Sequence, residues 1–413
     1  MITGTRGNKK NMRNIALLLC CLMVASCVQC VVSNAWTQKG LDEFHSNLAA
    51  YSTKHNPWLT GNFSHILEDV VIDSFNGFMI GHYYDSPRAV DELLVLNMNS
   101  GNYAKFQMTG PGIGLLVSSK VVDSLGNVYF LSKSRTISIN KFNFKSFTLQ
   151  QQEIALPPLS KFDSLILTPQ FNRLLVSVDK QFIYSIDTNS LNIVWKTPIT
   201  ISSNLVFRQD NGVVYFLARN TFMELDVSSG KIFNYYDWSN DSVEYGKMAY
   251  AGNGWFSIIY NNNLLSFYSI KNNYIVQPSR LAGEFESCHG LGYSTSEIQL
   301  TFLSYCYEQA ENSPLSIYKL NATQKFPSIT KAMQLASPNF QTNLAALNDK
   351  RTLIAIGLKD GIQIVNVENG QVVKQVPRES GTSVEIYASV NGMLYLVGIN
   401  GQRRVTNIQS IPI

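Results

Sequence analysis

Asp210-Asn-Gly-Val-Val-Tyr-Phe-Leu217, followed eight residues later by Leu225-Asp-Val-Ser-Ser-Gly-Lys-Ile232, governs how the rest of the chain reads. In the first stretch Gly212 supplies a turn, because glycine adopts positive φ without steric cost. Val213 to Leu217 is then an unbroken run of strand-forming residues. A strand that is apolar without alternation is covered on both faces. The second stretch reads as strand end, turn and strand start. Asp226 can accept hydrogen bonds from the backbone just ahead of it and close the turn. Leu225 and Ile232 return the chain to a buried sheet.

Both stretches recur. The eight-residue turn pattern reappears as Leu96-Asn-Met-Asn-Ser-Gly-Asn-Tyr103 and Val365-Asn-Val-Glu-Asn-Gly-Gln-Val372. Ile186-Asp-Thr-Asn-Ser-Leu-Asn-Ile193 lacks the glycine, and Tyr268-Ser-Ile-Lys-Asn-Asn-Tyr-Ile275 carries Ser for Asp and Asn for Gly. Weaker copies begin at Ile139 and Tyr318, with a degenerate one near Val405. The eight starting positions lie 39 to 50 residues apart, the length of a four-stranded propeller blade. The turn-then-strand feature recurs upstream at Gly126–Leu131, Gly254–Ile259 and Gly392–Val397. The expected fold is all-β, a single β-propeller over residues 65–413. Eight units favour eight blades; seven is the alternative if the terminal units merge. The last unit has strands near Ser383–Ala388, Met393–Val397 and Arg404–Ile408 but no fourth. A closed ring removes exposed sheet edges, so Trp58–Ser64 is a candidate for the missing strand. Helical spacing is confined to Leu41, Phe44, Leu48 and Tyr51, which predicts a short N-terminal helix within residues 36–64.

Residues 1–35 read as a signal peptide. Arg6, Lys9, Lys10 and Arg13 precede an apolar run from Ile15 to Val32, and Ser33-Asn34-Ala35 offers small residues for cleavage before Trp36. Retention as an N-terminal anchor is the alternative, and Val24-Ala25-Ser26-Cys27 also resembles a bacterial lipobox. The chain carries 33 basic and 29 acidic residues; removing the four basic residues of the leader leaves 29 of each sign. A nucleic-acid partner is therefore not expected. Four of the six cysteines lie in the leader, leaving Cys288 and Cys306. In an oxidising compartment these two are expected to form one disulfide. Asn62, Asn240 and Asn321 each begin an Asn-x-Ser/Thr sequon and are candidate glycosylation sites.

The unit Asp-x-x-Gly-x-Val-Tyr with Leu-Asp-x-x-Ser-Gly-Lys, together with Trp195 after the 186–193 turn, resembles the repeat of the quinoprotein-like (PQQ-repeat-like) propellers. That family includes bacterial alcohol dehydrogenases and outer-membrane assembly propellers. The resemblance spans roughly residues 65–413. The family's enzymes need an adjacent Cys-Cys pair beside the quinone and acidic calcium ligands. Here the only adjacent pair, Cys20-Cys21, is in the leader, so the resemblance implies the fold and no cofactor.

Other motifs have structural readings. Gly110-Pro-Gly-Ile-Gly114 precedes a strand-like run where a phosphate loop needs a helix. His45, His55 and His65 lack the spacing of a zinc site. His82-Tyr-Tyr-Asp85 puts a His and an Asp about a strand end with no assignable nucleophile. Cys288-His289 could suggest a thiolate–imidazole pair, but Cys306 offers the sulfur a structural partner. The expected function is a secreted, non-enzymatic scaffold that binds an extracellular protein or glycan, with no membrane contact beyond an N-terminal anchor. The alternative is a propeller hydrolase or oxidoreductase with its site at the channel mouth.

Overall fold

In this computed structural model the described residues are strands and many of their connections between positions 59 and 412, with side chains chiefly in 71–276 and 353–377. The leader and the expected helix at Leu41–Thr53 lie outside the described residues. Among those described, the strands assort into eight antiparallel sheets. In chain order the sheets span residues 66–107, 115–154, 162–198, 206–237, 246–280, 287–335, 340–377 and 383–412. Two sheets carry a fifth, very short strand. Leu115–Leu116 and Val121–Val122 both pair with Asn127–Lys133, and Tyr274–Ile275 and Ser279–Arg280 both pair with Leu264–Ser269. Each pair occupies one position across the sheet, so four positions recur throughout. The only helical element among the described residues is a 3-10 turn at Pro169–Phe171.

Leu225–Ile232 is the turn between the third and fourth strands, Thr221–Asp226 and Ile232–Asp237. Its copies at Leu96, Ile186, Tyr268 and Val365 occupy the same place. In four of these turns the residue four positions after the Asx donates its N–H to the Asx carbonyl: Gly101 to Asn97 at 2.9 Å, Leu191 to Asp187 at 2.8 Å, Gly230 to Asp226 at 2.8 Å and Gly370 to Asn366 at 2.7 Å. The Asx side chain caps the turn from within. Asp187 Oδ1 accepts from the N–H groups of Asn189 and Ser190 at 3.0 and 2.9 Å.

The structure revises three weaker copies. The turn in the second sheet starts at Phe142, three residues after Ile139, with Asn143 Oδ1 accepting from Lys145 and Ser146. The strand holding Tyr318 runs on to Asn321, past the expected turn start. Val405 opens the third strand of its sheet, Val405–Pro412, because the fourth position there is filled from the other end of the chain. Leu59–Gly61 pairs antiparallel with Val405–Pro412, Leu59 opposite Gln409.

The second strand of each sheet explains the apolar runs. Val213–Ala218 and Asn127–Lys133 are buried almost along their whole length. Alternate residues then serve opposite neighbours. The first strands do the same: in Phe162–Thr168, Leu165 and Leu167 pack with Tyr129 and Leu131 of the second sheet, while Ile166 packs with Val214 and Phe216 of the fourth. The same two-sided sharing joins the first sheet to the second and the fourth to the fifth. Burying one such side chain contributes about 1.5–3 kcal/mol. The fourth strands, by contrast, are largely exposed: Ile193–Pro198 and Val372–Pro377 are mostly open to solvent.

Candidate functional site

Most first strands contact the first strand of a neighbouring sheet. Contacts run from Ile66–Asp73 to Val121–Val122, on to Phe162–Thr168, Val206–Arg208, Gly246–Gly252 and Ser287–Ser294, and separately from Phe340–Ala346 to Ser383–Val390. A ligand entering between the sheets would meet these strands and their flanks, so they are the candidate site.

The flank before Val206 is polar and buried: Ser202, Ser203 and Asn204 are each 4–5% exposed. Its groups are hydrogen-bonded to the second strand of their own sheet and to the fifth sheet. Ser202 N–H donates to Leu217 O at 2.8 Å, and Leu217 N–H donates to Ser203 Oγ at 2.8 Å. The Asn204 amide stands in for a strand backbone: Met248 N–H donates to Oδ1 at 2.8 Å, and Nδ2 donates to Met248 O at 2.9 Å. Gly246 N–H reaches Ser202 O at 2.7 Å. The Asn204–Met248 pair and the Gly246–Ser202 bond tie the fourth sheet to the fifth.

The third sheet's flank is also polar, but its bonds to Asp179 and Asp163 are exposed and stay within the sheet. Lys161 N–H donates to Asp179 Oδ1 at 2.7 Å, and Lys180 N–H donates to Asp163 Oδ2 at 2.8 Å. Ser164 and Ser177 share a hydrogen bond of 3.0 Å. Ser160 Oγ is buried without a hydrogen-bond partner. Lys120, beside Val121, is 1% exposed. Among the described residues, no three His, Cys, Asp or Glu side chains gather as a metal ion would require.

The first-to-second turns carry a polar device of their own. Asp123 Oδ1 accepts from the N–H groups of Leu125 and Asn127 at 2.9 and 2.8 Å, and Oδ2 accepts from Tyr129 OH at 3.0 Å. Burial, reinforced by the Asp123 charge, pushes the Tyr129 phenol well above its ordinary value. In the fourth sheet Asn211 Nδ2 donates to Tyr215 OH at 2.8 Å, and burial followed by the Glu224 charge raises that phenol too. The Arg208 guanidinium sits over the Tyr250 ring, 4.6 Å from its centroid.

Cys288 and Cys306 lie directly opposite in the pairing of Ser287–Ser294 with Gln299–Tyr307. His289 faces Tyr305 across the same ladder. Asn321 ends the strand Leu315–Asn321, while Asn62 and Asn240 lie outside the described residues. His45, His55, His65 and Gly110–Gly114 lie outside them as well. His82 and Asp85 do not flank a strand end: Phe78–Asp85 is one continuous strand, held by pairing of Asp85 with Val90. His82 is 7% exposed, opposite Glu68 and Leu93. The inter-sheet role of Asn204 was not foreseen, because a Ser-Ser-Asn run carries no periodicity and its partner is 44 residues away.

No family model matches the sequence, and no curated protein sequence does either. Solved structures do match in fold. BamB from Moraxella catarrhalis is 13% identical, with 86% of this chain and 100% of that one covered at a TM-score of 0.50. The computationally designed Ika8 protein is 10% identical, with 86% and 98% covered at 0.56. The dihydro-heme d1 dehydrogenase NirN, in complex with DHE, is 10% identical, with 89% and 78% covered at 0.55. At these identities the likeness concerns the fold alone: the chain has a β-propeller fold.

Proposed function

We propose that this propeller is an exported, non-enzymatic scaffold of eight blades that holds an extracellular protein or glycan. One observation carries the reading. The buried polar side chains beside the first strand of the fourth sheet, Ser203 and Asn204 foremost, are spent on structural hydrogen bonds, Ser203 to its own sheet and Asn204 to the fifth. A catalytic centre would instead leave convergent acid, base or nucleophile groups facing a common point. The eight sheets support eight blades over seven, and the pairing of Leu59–Gly61 with Val405–Pro412 supports closure of the ring by the N-terminal stretch. Export rests on residues 1–35 as a cleaved leader, with glycans on Asn62, Asn240 and Asn321.

The test is expression of the full chain in a eukaryotic secretory cell. The expected product enters the medium, begins at Trp36 and loses mass on glycosidase digestion. It binds a partner from the extracellular fraction saturably and turns over nothing in hydrolase and oxidoreductase screens. Turnover of a small substrate, with no saturable partner, overturns the scaffold reading.

A further inference from the structure

We propose that Cys288 and Cys306 form a cross-strand disulfide that staples the open end of the sixth sheet's first hairpin. The observation is the backbone register. From Ser287 opposite Tyr307 to Ser294 opposite Leu300 the two strands pair without a shift, and Cys288 falls opposite Cys306. Directly opposed residues of an antiparallel pair share a face, with Cα atoms about 4.5 or 5.5 Å apart according to the type of pair. Both separations fall within the span of roughly 4.4–6.8 Å that a disulfide bridges. A slip of one residue would put the two on opposite faces; the unbroken ladder holds them on one.

The position gives the bond its effect. Cys288 is the second residue of its strand and Cys306 the second from the end of its own. The bond therefore closes the hairpin at the end away from its connection. Ser287–Ser294 is also the strand that meets Gly246–Gly252 of the fifth sheet, so the staple fixes the end of a strand at the candidate site. Formation joins the two sulfurs and releases two protons and two electrons. The electrons pass by thiol–disulfide exchange to a protein disulfide carrier, which leaves as a dithiol. Supply of that carrier rests on the export reading; the register does not.

The experiment uses the reduced full chain, equilibrated in glutathione buffer poised like a secretory lumen, alkylated and then cleaved after glutamate. Cleavage after Glu286, Glu297 and Glu308 gives peptides 287–297 and 298–308, one cysteine in each. The expected result is that the two peptides travel as one unlabelled species and part, each taking a label, only after reduction. Cys288→Ser should leave Cys306 open to alkylation. Reduction should lower the melting temperature by roughly 4 °C, and a Cys288→Ala/Cys306→Ala chain should ignore reductant. Two labelled thiols at lumenal poise, or separate glutathione adducts on each, overturn the proposal. A chain that pairs its thiols in buffer yet stays in the cytosol of the expressing cell would sink export and leave the disulfide standing.

Discussion

Gly230 carries two constraints at once. Its φ is +71°, and a Cβ built there would come within 2.6 Å of the Trp195 ring. Trp195 is fixed in turn by its Nε1–H donating to Val227 O at 3.0 Å. The left-handed conformation alone costs an alanine about 1–2 kcal/mol, and displacing a packed indole adds to it. Gly230→Ala is expected to destabilise the fold by roughly 3 kcal/mol in urea unfolding. In a Trp195→Ala background the added cost should fall to the conformational part, so the two substitutions will be non-additive. Leu191 occupies the corresponding position with φ 59° and is fully buried; there the burial of an apolar side chain offsets the strain. Tyr129 is the second residue with a measurable signature. Its phenol is raised above 10 by burial and then by Asp123. Below pH 10 the folded and unfolded chains both keep the proton. Above it the unfolded chain releases its proton first, so stability falls by up to about 1.4 kcal/mol per pH unit. Tyr129→Phe should flatten the loss between about pH 10 and 12 in alkaline unfolding, while giving up the hydrogen bond to Asp123, about 1 kcal/mol near neutrality.

At the scale of strands and sheets, stability comes from sharing. A second strand such as Val213–Ala218 sends alternate side chains to the third sheet and the fifth, so among the described residues the core is shared between neighbouring sheets. Asn204 adds direction to this packing by giving Met248 both a donor and an acceptor. Asn204→Asp keeps the shape, removes the donor and buries a carboxylate. The expected loss is about 3–5 kcal/mol, read as a drop in the denaturant midpoint. Asn204→Leu removes both partners at once and should cost about 2–3 kcal/mol through the two stranded Met248 groups. A loss below 1 kcal/mol for either variant would mean that the Asn204 pairing contributes little to joining the sheets. The fourth strands follow a different logic. Exposed Val194 and Val373 stand next to Trp195 and Lys374, and Lys105 and Lys196 also fall on fourth strands. Lysines on an open edge oppose edge-to-edge pairing between copies.

At the scale of the molecule, the two ends of the chain share one sheet. Leu59–Gly61 is its outermost strand, paired to Val405–Pro412. Removing that strand leaves a ladder edge open and frees the last sheet from the first part of the chain. A chain starting at residue 65 is expected to melt lower than one starting at residue 58 and to self-associate, measured by calorimetry and light scattering. Equal melting and a monomer for both would refute a closing role for the strand. The legibility of this architecture was uneven. The turn pattern read correctly wherever Asx and Gly or Asn stood at their places, as at Leu225–Ile232. It slipped by three residues at Ile139, because Phe147 holds the positive-φ position there and gives no compositional signal. At Val405 it failed because the missing strand is distant in sequence.

The amino-acid order by itself determined the repeat: local turn chemistry and unbroken apolar runs fix strand, turn and strand about every 45 residues, since these depend only on neighbours along the chain. The sequence already offers Trp58–Ser64 as the closing strand and Cys288 with Cys306 as a pair, to which the structure adds the registers; only the tertiary structure decided which groups meet across sheets, such as Asn204 with Met248 and Trp195 with Gly230. Those pairings depend on the register and face of sheets packed from distant segments, and no local propensity encodes them.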